Sequence, residues 1–179
     1  MTEQLWAPWR LPYILAAERH NGCIFCDFPA QAESCDEQNL LLYRGNTGFI
    51  ILNAFPYSNG HLMVVPFRHT DTLETYGDNE LLEIMSLQRL AFRLLRKVMN
   101  PEAFNGGLNI GRAAGAGITG HLHWHIVPRW NGDTNFMTVV NDVRVVPESL
   151  QAVYTRLKAA LPEVLSEANN GLEINEKKS

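Results

Sequence analysis

The stretch His121-Leu122-His123-Trp124-His125-Ile126-Val127-Pro128-Arg129 holds three of the six histidines of the chain, and they alternate with apolar residues. Alternation at a period of two marks a β-strand with one buried face. All three imidazoles therefore point to one side of a sheet, spread over about 6–7 Å at ~3.3 Å per residue, while Leu122, Trp124 and Ile126 point to the other, where a helix can cover them. Three adjacent titratable rings repel one another when protonated and pack no better than Val or Thr, which argues for chemistry over structure. Two chemistries are open. Neutral imidazoles can bind a metal, or one can act as a nucleophile while its neighbours set its tautomer and stabilise charge on an electrophile.

Working outward, His121–Pro128 reads as a strand and the small-residue run Arg112-Ala113-Ala114-Gly115-Ala116-Gly117 as the loop before it. Gly107–Gly111 reads as another strand. Upstream, Leu81, Ile84 or Met85, Leu87, Ala91, Leu94 or Leu95, and Val98 recur at helical spacing behind a Gly77-Asp78-Asn79 start, and Asn100-Pro101 ends the helix. Leu40–Tyr43 and Gly48–Leu52, joined by Arg44-Gly45-Asn46-Thr47, form a hairpin, and His61–Pro66 is a third strand stopped by proline. Residues 27–39 read as a loop. Phe136–Val140 and Val143–Val146 carry further β signal. A second helix runs from Pro147 to about Leu161 or 165, with a polar, frayed tail over 166–179. A helix standing between hairpins predicts an α+β fold, an antiparallel sheet with a long helix on one face.

Composition bounds the function. The chain has 179 residues, 46% hydrophobic and 19% charged, with 15 Lys+Arg against 19 Asp+Glu for a net charge of −4. One domain of this size, spanning 1–179, buries roughly 70% of its unfolded surface and needs no disulfides. Three cysteines, an odd number, and no leader-like opening point to a reducing, cytoplasmic setting. No run approaches the roughly 20 apolar residues of a membrane span. Mild acidity without basic clusters argues against nucleic-acid partners. The arm over 1–22, with Trp6 and Trp9 among Pro8 and Pro12, reads as an irregular segment packed on its own domain or on a second copy.

The triad, the Gly-rich loop before it and the upstream run Asn59-Gly60-His61-Leu62-Met63-Val64-Val65-Pro66 occur in an order that resembles the histidine triad family of nucleotidyl hydrolases and transferases, over about 40–146. The flanks Leu5-Trp6-Ala7-Pro8-Trp9-Arg10 and Pro128–Phe136 are similar to the bacterial branch that includes diadenosine tetraphosphate phosphorylases. The resemblance implies that His123 attacks the α-phosphorus of a purine nucleotide, forming a nucleotidyl-histidine intermediate. It implies that the His121 carbonyl holds the other ring N–H of His123, and that His125 stabilises charge on the phosphate oxygens. Asn109 and the backbone N–H groups of Gly115, Ala116 and Gly117 are implied phosphate contacts. Asn53 stands where many members place an acidic residue that binds the ribose hydroxyls, with Leu52, Ala54 and Phe55 bordering the base. Ala116-Gly117-Ile118 replaces a Gly-Gln-Ser or Gly-Gln-Thr run, which opens room for inorganic phosphate as second nucleophile. Phosphorolysis of diadenosine tetraphosphate is thus the leading expectation. Its hydrolysis, hydrolysis of nucleoside phosphoramidates and a nucleotide-binding module with little turnover are the alternatives. A metal-dependent hydrolase is weaker, for lack of carboxylates near the triad. The resemblance also implies a homodimer formed through the long helix and an added strand.

Cys23-Ile24-Phe25-Cys26 has a spacing that lets both sulfurs reach one metal. A redox dithiol prefers a helix start, so metal binding is favoured here. The resemblance implies that His69 and His121 complete a structural zinc site. Cys35 and His20 read as bystanders.

Overall fold

The structure, a computed structural model, describes residues 22–133 and 147–176. The readings made for the Trp6/Trp9 arm, His20, Phe136–Val140 and Val143–Val146 lie outside these residues. Among the described residues three helices, α1 (Ile24–Ala30), α2 (Asp78–Met99) and α3 (Leu150–Glu176), accompany five strands, β1 (Leu41–Arg44), β2 (Gly48–Leu52), β3 (Leu62–Pro66), β4 (Ala103–Leu108) and β5 (Trp124–Arg129). The strands form one antiparallel sheet in the order β1-β2-β3-β5-β4. This is the α+β architecture read from the sequence.

Alternation sorts the strand residues into two layers. Ile50, Leu52, Leu62, Val64, Leu122, Trp124 and Ile126 meet Ile84, Leu87, Ala91, Leu94 and Leu95 of α2 and Val153, Leu157 and Leu161 of α3 in one core. On the opposite face Phe49, Ile51, Met63 and Val65 surround Phe25 of α1. The α2 boundaries follow the expected signals. The Glu80 carboxylate accepts the Gly77 N–H at 3.0 Å, and Asn100 ends the helix in the left-handed conformation at φ 47°. Glu83 on the same helix accepts the N–H groups of Asn46 and Thr47, which fixes the β1–β2 turn from across the sheet.

Four sequence readings change. Residues 27–39 are not all loop. They include most of α1 and a 3₁₀ turn at Glu33–Cys35, a seven-residue helix being too short to show a period and held by burying Phe25. A partly buried Arg44–Asp36 ion pair at 2.6 Å, with Arg44 donating also to the Pro29 carbonyl, ties this segment to β1. The strand expected at Gly107–Gly111 is Ala103–Leu108, because β4 pairs from Ala103↔Arg129 to Leu108↔Trp124. The triad strand begins only at Trp124, although Leu122 and Trp124 keep the helix-side parity. Lastly, α3 starts at Leu150 and continues to Glu176, since its buried stripe runs on past the solvent-facing Pro162 to Val164.

Candidate active site and metal centre

Five of the six histidines gather on the Phe25 side of the sheet, and their hydrogen bonds determine where each proton sits. His123 Nδ1 lies 2.9 Å from the His121 carbonyl. A carbonyl only accepts, so Nδ1 carries the proton and Nε2 keeps its lone pair. His121 Nε2 lies 2.8 Å from the Pro66 carbonyl, which leaves the Nδ1 lone pair of His121 directed elsewhere. The Leu122 N–H donates to the Thr70 carbonyl at 2.8 Å and pins this extended turn. Phe25 packs on both His121 and His123, with centroids 5.5 and 5.0 Å away.

His125 is 4.9 Å from His123, ring to ring, and its Nδ1 is 3.0 Å from His61 Nε2. Periodicity within the triad does not reveal His61, which is fully buried. The signals for it were its place in the upstream Asn59–Pro66 run and its parity with Met63, the residue paired with His125 across β3 and β5. Gly60, at φ 76°, makes the turn before it, and a side chain there would strike Met99. Tyr57, likewise unforeseen, lies over His61 and His125 at 4.7 and 5.6 Å and is nearly half exposed.

Burial holds His121, His123 and His125 below the ordinary imidazole pKa, His125 down to about 4 with help from its neighbour His123. All three are therefore neutral at pH 7. A neutral imidazole with a free lone pair, its tautomer held by a main-chain carbonyl, is a competent nucleophile toward phosphorus or carbon.

The other expected contacts divide. Asn109 reaches the site, its amide 3.4 Å from His125 Nε2. Asn53 is also there, but both ends of its amide are engaged, Oδ1 by the Phe55 N–H at 2.8 Å and Nδ2 by His61 Nδ1 at 3.2 Å. Leu52 is not brought to the histidines. It is buried in the helix-side core on the opposite face of the sheet. Ala54 is exposed at the end of β2 beside Phe55. Of the loop N–H groups, Gly115 and Ala116 already donate to the Arg112 and Gly111 carbonyls at 3.0 and 3.3 Å, while that of Gly117 meets no acceptor among the described residues. Those two expected phosphate donors are thus already committed to the turn.

Cys23, Cys26, His69 and His121 place their ligand atoms within 4.8 Å of one another. Cys23 caps α1 and Cys26 lies in its first turn, a helix start the sequence did not disclose. The distances test the fit. A tetrahedron with Zn–N of about 2.0–2.1 Å and Zn–S of about 2.3 Å has N–N edges of about 3.3 Å and S–N edges of about 3.6 Å. The His69 and His121 Nδ1 atoms are 3.3 Å apart, and the Cys23–His121, Cys26–His69 and Cys26–His121 separations are 3.4, 3.3 and 3.6 Å. The donor set fits a four-coordinate thiophilic cation. Burial, with the Cys23 sulfur and the Asp27 carboxylate adding to it, pushes the Cys26 thiol up to about 11, a balance that a divalent cation reverses.

Three alternating imidazoles leading into β5, backed by a fourth just before β3, form one cluster in which His123 has the tautomer that a histidine nucleophile needs. Residues 36–132 match the HIT domain model, and the chain belongs to the HIT family. It is 39% identical over 154 residues to the AP-4-A phosphorylase of Mycobacterium tuberculosis, covering 83% of this chain and 79% of that protein. It is 33% identical over 113 residues to adenylylsulfatase HINT3 of Arabidopsis thaliana, covering 63% of this chain and 55% of that one. A zinc-bound histidine triad family protein from Mycobacterium smegmatis superposes with a TM-score of 0.64 at 26% identity, over 82% of this chain and 97% of that structure. No helix among the described residues is long and apolar enough to cross a membrane.

Proposed function

We propose that this protein cleaves diadenosine tetraphosphate with inorganic phosphate, giving ATP and ADP. The observation that carries the reading is the tautomer of His123, with Nδ1–H on the His121 carbonyl and a lone pair on Nε2. In the first step His123 Nε2 bonds to the α-phosphorus and the P–O bond to the departing ATP breaks, leaving AMP on the histidine. In the second step a phosphate oxygen bonds to that phosphorus and the N–P bond breaks, releasing ADP and restoring the lone pair. His125 donates its Nε2–H as a hydrogen bond to the oxygens that gather charge. Two points favour phosphate over water. The Mycobacterium tuberculosis relative matched over 154 residues is named a phosphorylase, and a side chain at Gly115 or Gly117 would meet nothing within 4 Å, so this loop leaves room for a second phosphate. Asn109, beside His125, and the Gly117 N–H, without an acceptor among the described residues, are the groups we assign to hold it.

Zinc at Cys23, Cys26, His69 and His121 would be structural, because four protein ligands leave no open position. It would join α1 and the segment after β3 to the residue whose carbonyl orients His123.

The assay is direct. Purified protein is incubated with diadenosine tetraphosphate, with and without phosphate, and the nucleotides are separated. ADP and ATP appear together only when phosphate is present. AMP and ATP without phosphate would make the protein a hydrolase instead, and no turnover at all would remove the proposal.

We further infer a homodimer. Among the described residues β4 is an edge strand with Asn105, Gly106 and Gly107 exposed, and Leu82 and Met85 stand largely bare on α2. Light scattering is expected to give twice the chain mass, and a single-chain mass at all concentrations would refute the dimer.

A further inference from the structure

The family position that Asn53 occupies is read from sequence as a ribose contact, where a carboxylate suits two hydroxyls. Its surroundings in the fold fit another task. The Phe55 N–H is an unambiguous donor and lies 2.8 Å from Asn53 Oδ1, which settles the orientation of the amide and turns its NH₂ toward His61 Nδ1 at 3.2 Å. The Tyr57 N–H, a second unambiguous donor, approaches the same nitrogen at 3.1 Å. With donors on that side, Nδ1 must be the acceptor and the proton of His61 must sit on Nε2. His61 Nε2 faces His125 Nδ1 at 3.0 Å, so His125 Nδ1 accepts in turn and its own proton is driven to Nε2. Asn109 Nδ2 lies 3.4 Å from that nitrogen, and with a proton on Nε2 the Asn109 amide takes the half-turn that presents Oδ1 instead, its N and O ends being interchangeable in shape.

We propose that Asn53 is a positioning residue: its amide, with the Tyr57 N–H, sets the tautomer of His61, and His61 passes that choice to His125, which is thereby left with Nε2–H facing the reacting phosphate. The inference rests on the reading of His125 as the donor to phosphate, but the tautomers themselves can be observed without substrate. Only an amide does this at position 53. A carboxylate there accepts and cannot donate, so it draws the His61 proton to Nδ1 and turns His61 Nε2 into an acceptor. His125 must then place a proton on Nδ1, and as a neutral ring it loses the one on Nε2.

Nitrogen-15 NMR of the histidine-labelled whole chain at neutral pH tests this. In the unmodified protein His61 Nδ1 and His125 Nδ1 are expected to show pyridine-type shifts and both Nε2 atoms pyrrole-type shifts. In Asn53→Asp the His61 proton moves to Nδ1, and in Asn53→Ala, where the Tyr57 N–H remains, His61 becomes a mixture of tautomers. Against diadenosine tetraphosphate with phosphate, kcat is expected to fall about 100-fold in the Asp variant, the size of one lost donor, and about fivefold in the Ala variant, with KM changed less than threefold in both. A ribose contact orders them the other way: Asp retains function, and Ala raises KM at constant kcat. That order, a proton on His61 Nδ1 in the unmodified protein, or unaltered His61 shifts in both variants would overturn the proposal. If the unmodified protein turns over no nucleotide while the shifts behave as described, the proposed reaction falls and the tautomer assignment stands.

Discussion

Replacing His123 with Asn is expected to abolish cleavage of diadenosine tetraphosphate, lowering turnover by at least about 10⁴-fold while nucleotide affinity stays within a few-fold of the original. The size follows from the role. In the proposed reaction His123 supplies the lone pair that forms the covalent bond to phosphorus, and no neighbour can replace it. The Nδ1 atoms of His61 and His125 are occupied by hydrogen bonds, and the Nδ1 of His121 is turned toward the cysteines. The fold should tolerate the change, because an Asn side chain can still donate toward the His121 carbonyl and the position is lined by Phe25 rather than by charge. Turnover of the Asn variant by equilibrium mixing with radiolabelled nucleotide, alongside a binding isotherm, separates the two quantities. Retained turnover would eliminate a histidine nucleophile. A parallel loss of binding would mean that the ring serves mainly to hold substrate.

Removing the metal is expected to produce the second-largest effect, this time on stability. The chain should purify with about one zinc per molecule. A ligand present at about a thousand times its dissociation constant stabilises the folded state by roughly 4 kcal/mol. For a domain of this size that is a fall in Tm of about 10 °C on treatment with a strong chelator. Cys26→Ser should give the same fall without chelator, and the chelator should then have no further effect. The ligands explain why the loss is global. They come from the start of α1, the segment after β3 and the turn before β5, separated by 43 to 98 positions in sequence. Removing the cation removes the one centre to which all four of these side chains would bind. An unchanged Tm with chelator, in a protein that contains no stoichiometric metal, would rule the site out.

His121 connects the two predictions. Its Nδ1 faces the cysteines, its Nε2–H is held by Pro66, and its carbonyl holds the proton of His123. Every polar atom that could reorient the residue is engaged by a different element. Disturbance at Cys23 or Cys26 is therefore transmitted to the tautomer of the nucleophile through a single residue, without any need for a larger conformational change.

Much of this site is legible before folding is considered. The alternation of His121, His123 and His125 with Leu122, Trp124 and Ile126 is a property of consecutive residues, and it alone determines that the imidazoles share a face opposite the α2 core. The three- and four-residue spacing from Leu81 to Val98 determines α2 in the same way, and Asn100-Pro101 determines its end. Those signals are local, so the chain carries them in any conformation. What only the tertiary structure decided is everything that depends on partners distant in sequence. His61 becomes part of the site because β3 pairs with β5, 64 positions away. Asn53 faces an imidazole because the Phe55 N–H claims its oxygen. Leu52 turns away from the site because β2 residues alternate between the two layers, and α1 forms because Phe25 fills the gap between the sheet and the histidines. Above all, the proton positions that separate a nucleophile from a donor are set by which carbonyl or N–H lies within 3 Å or so of each ring nitrogen. Composition and periodicity carry no record of that distance, because it exists only once the backbone has closed around the rings.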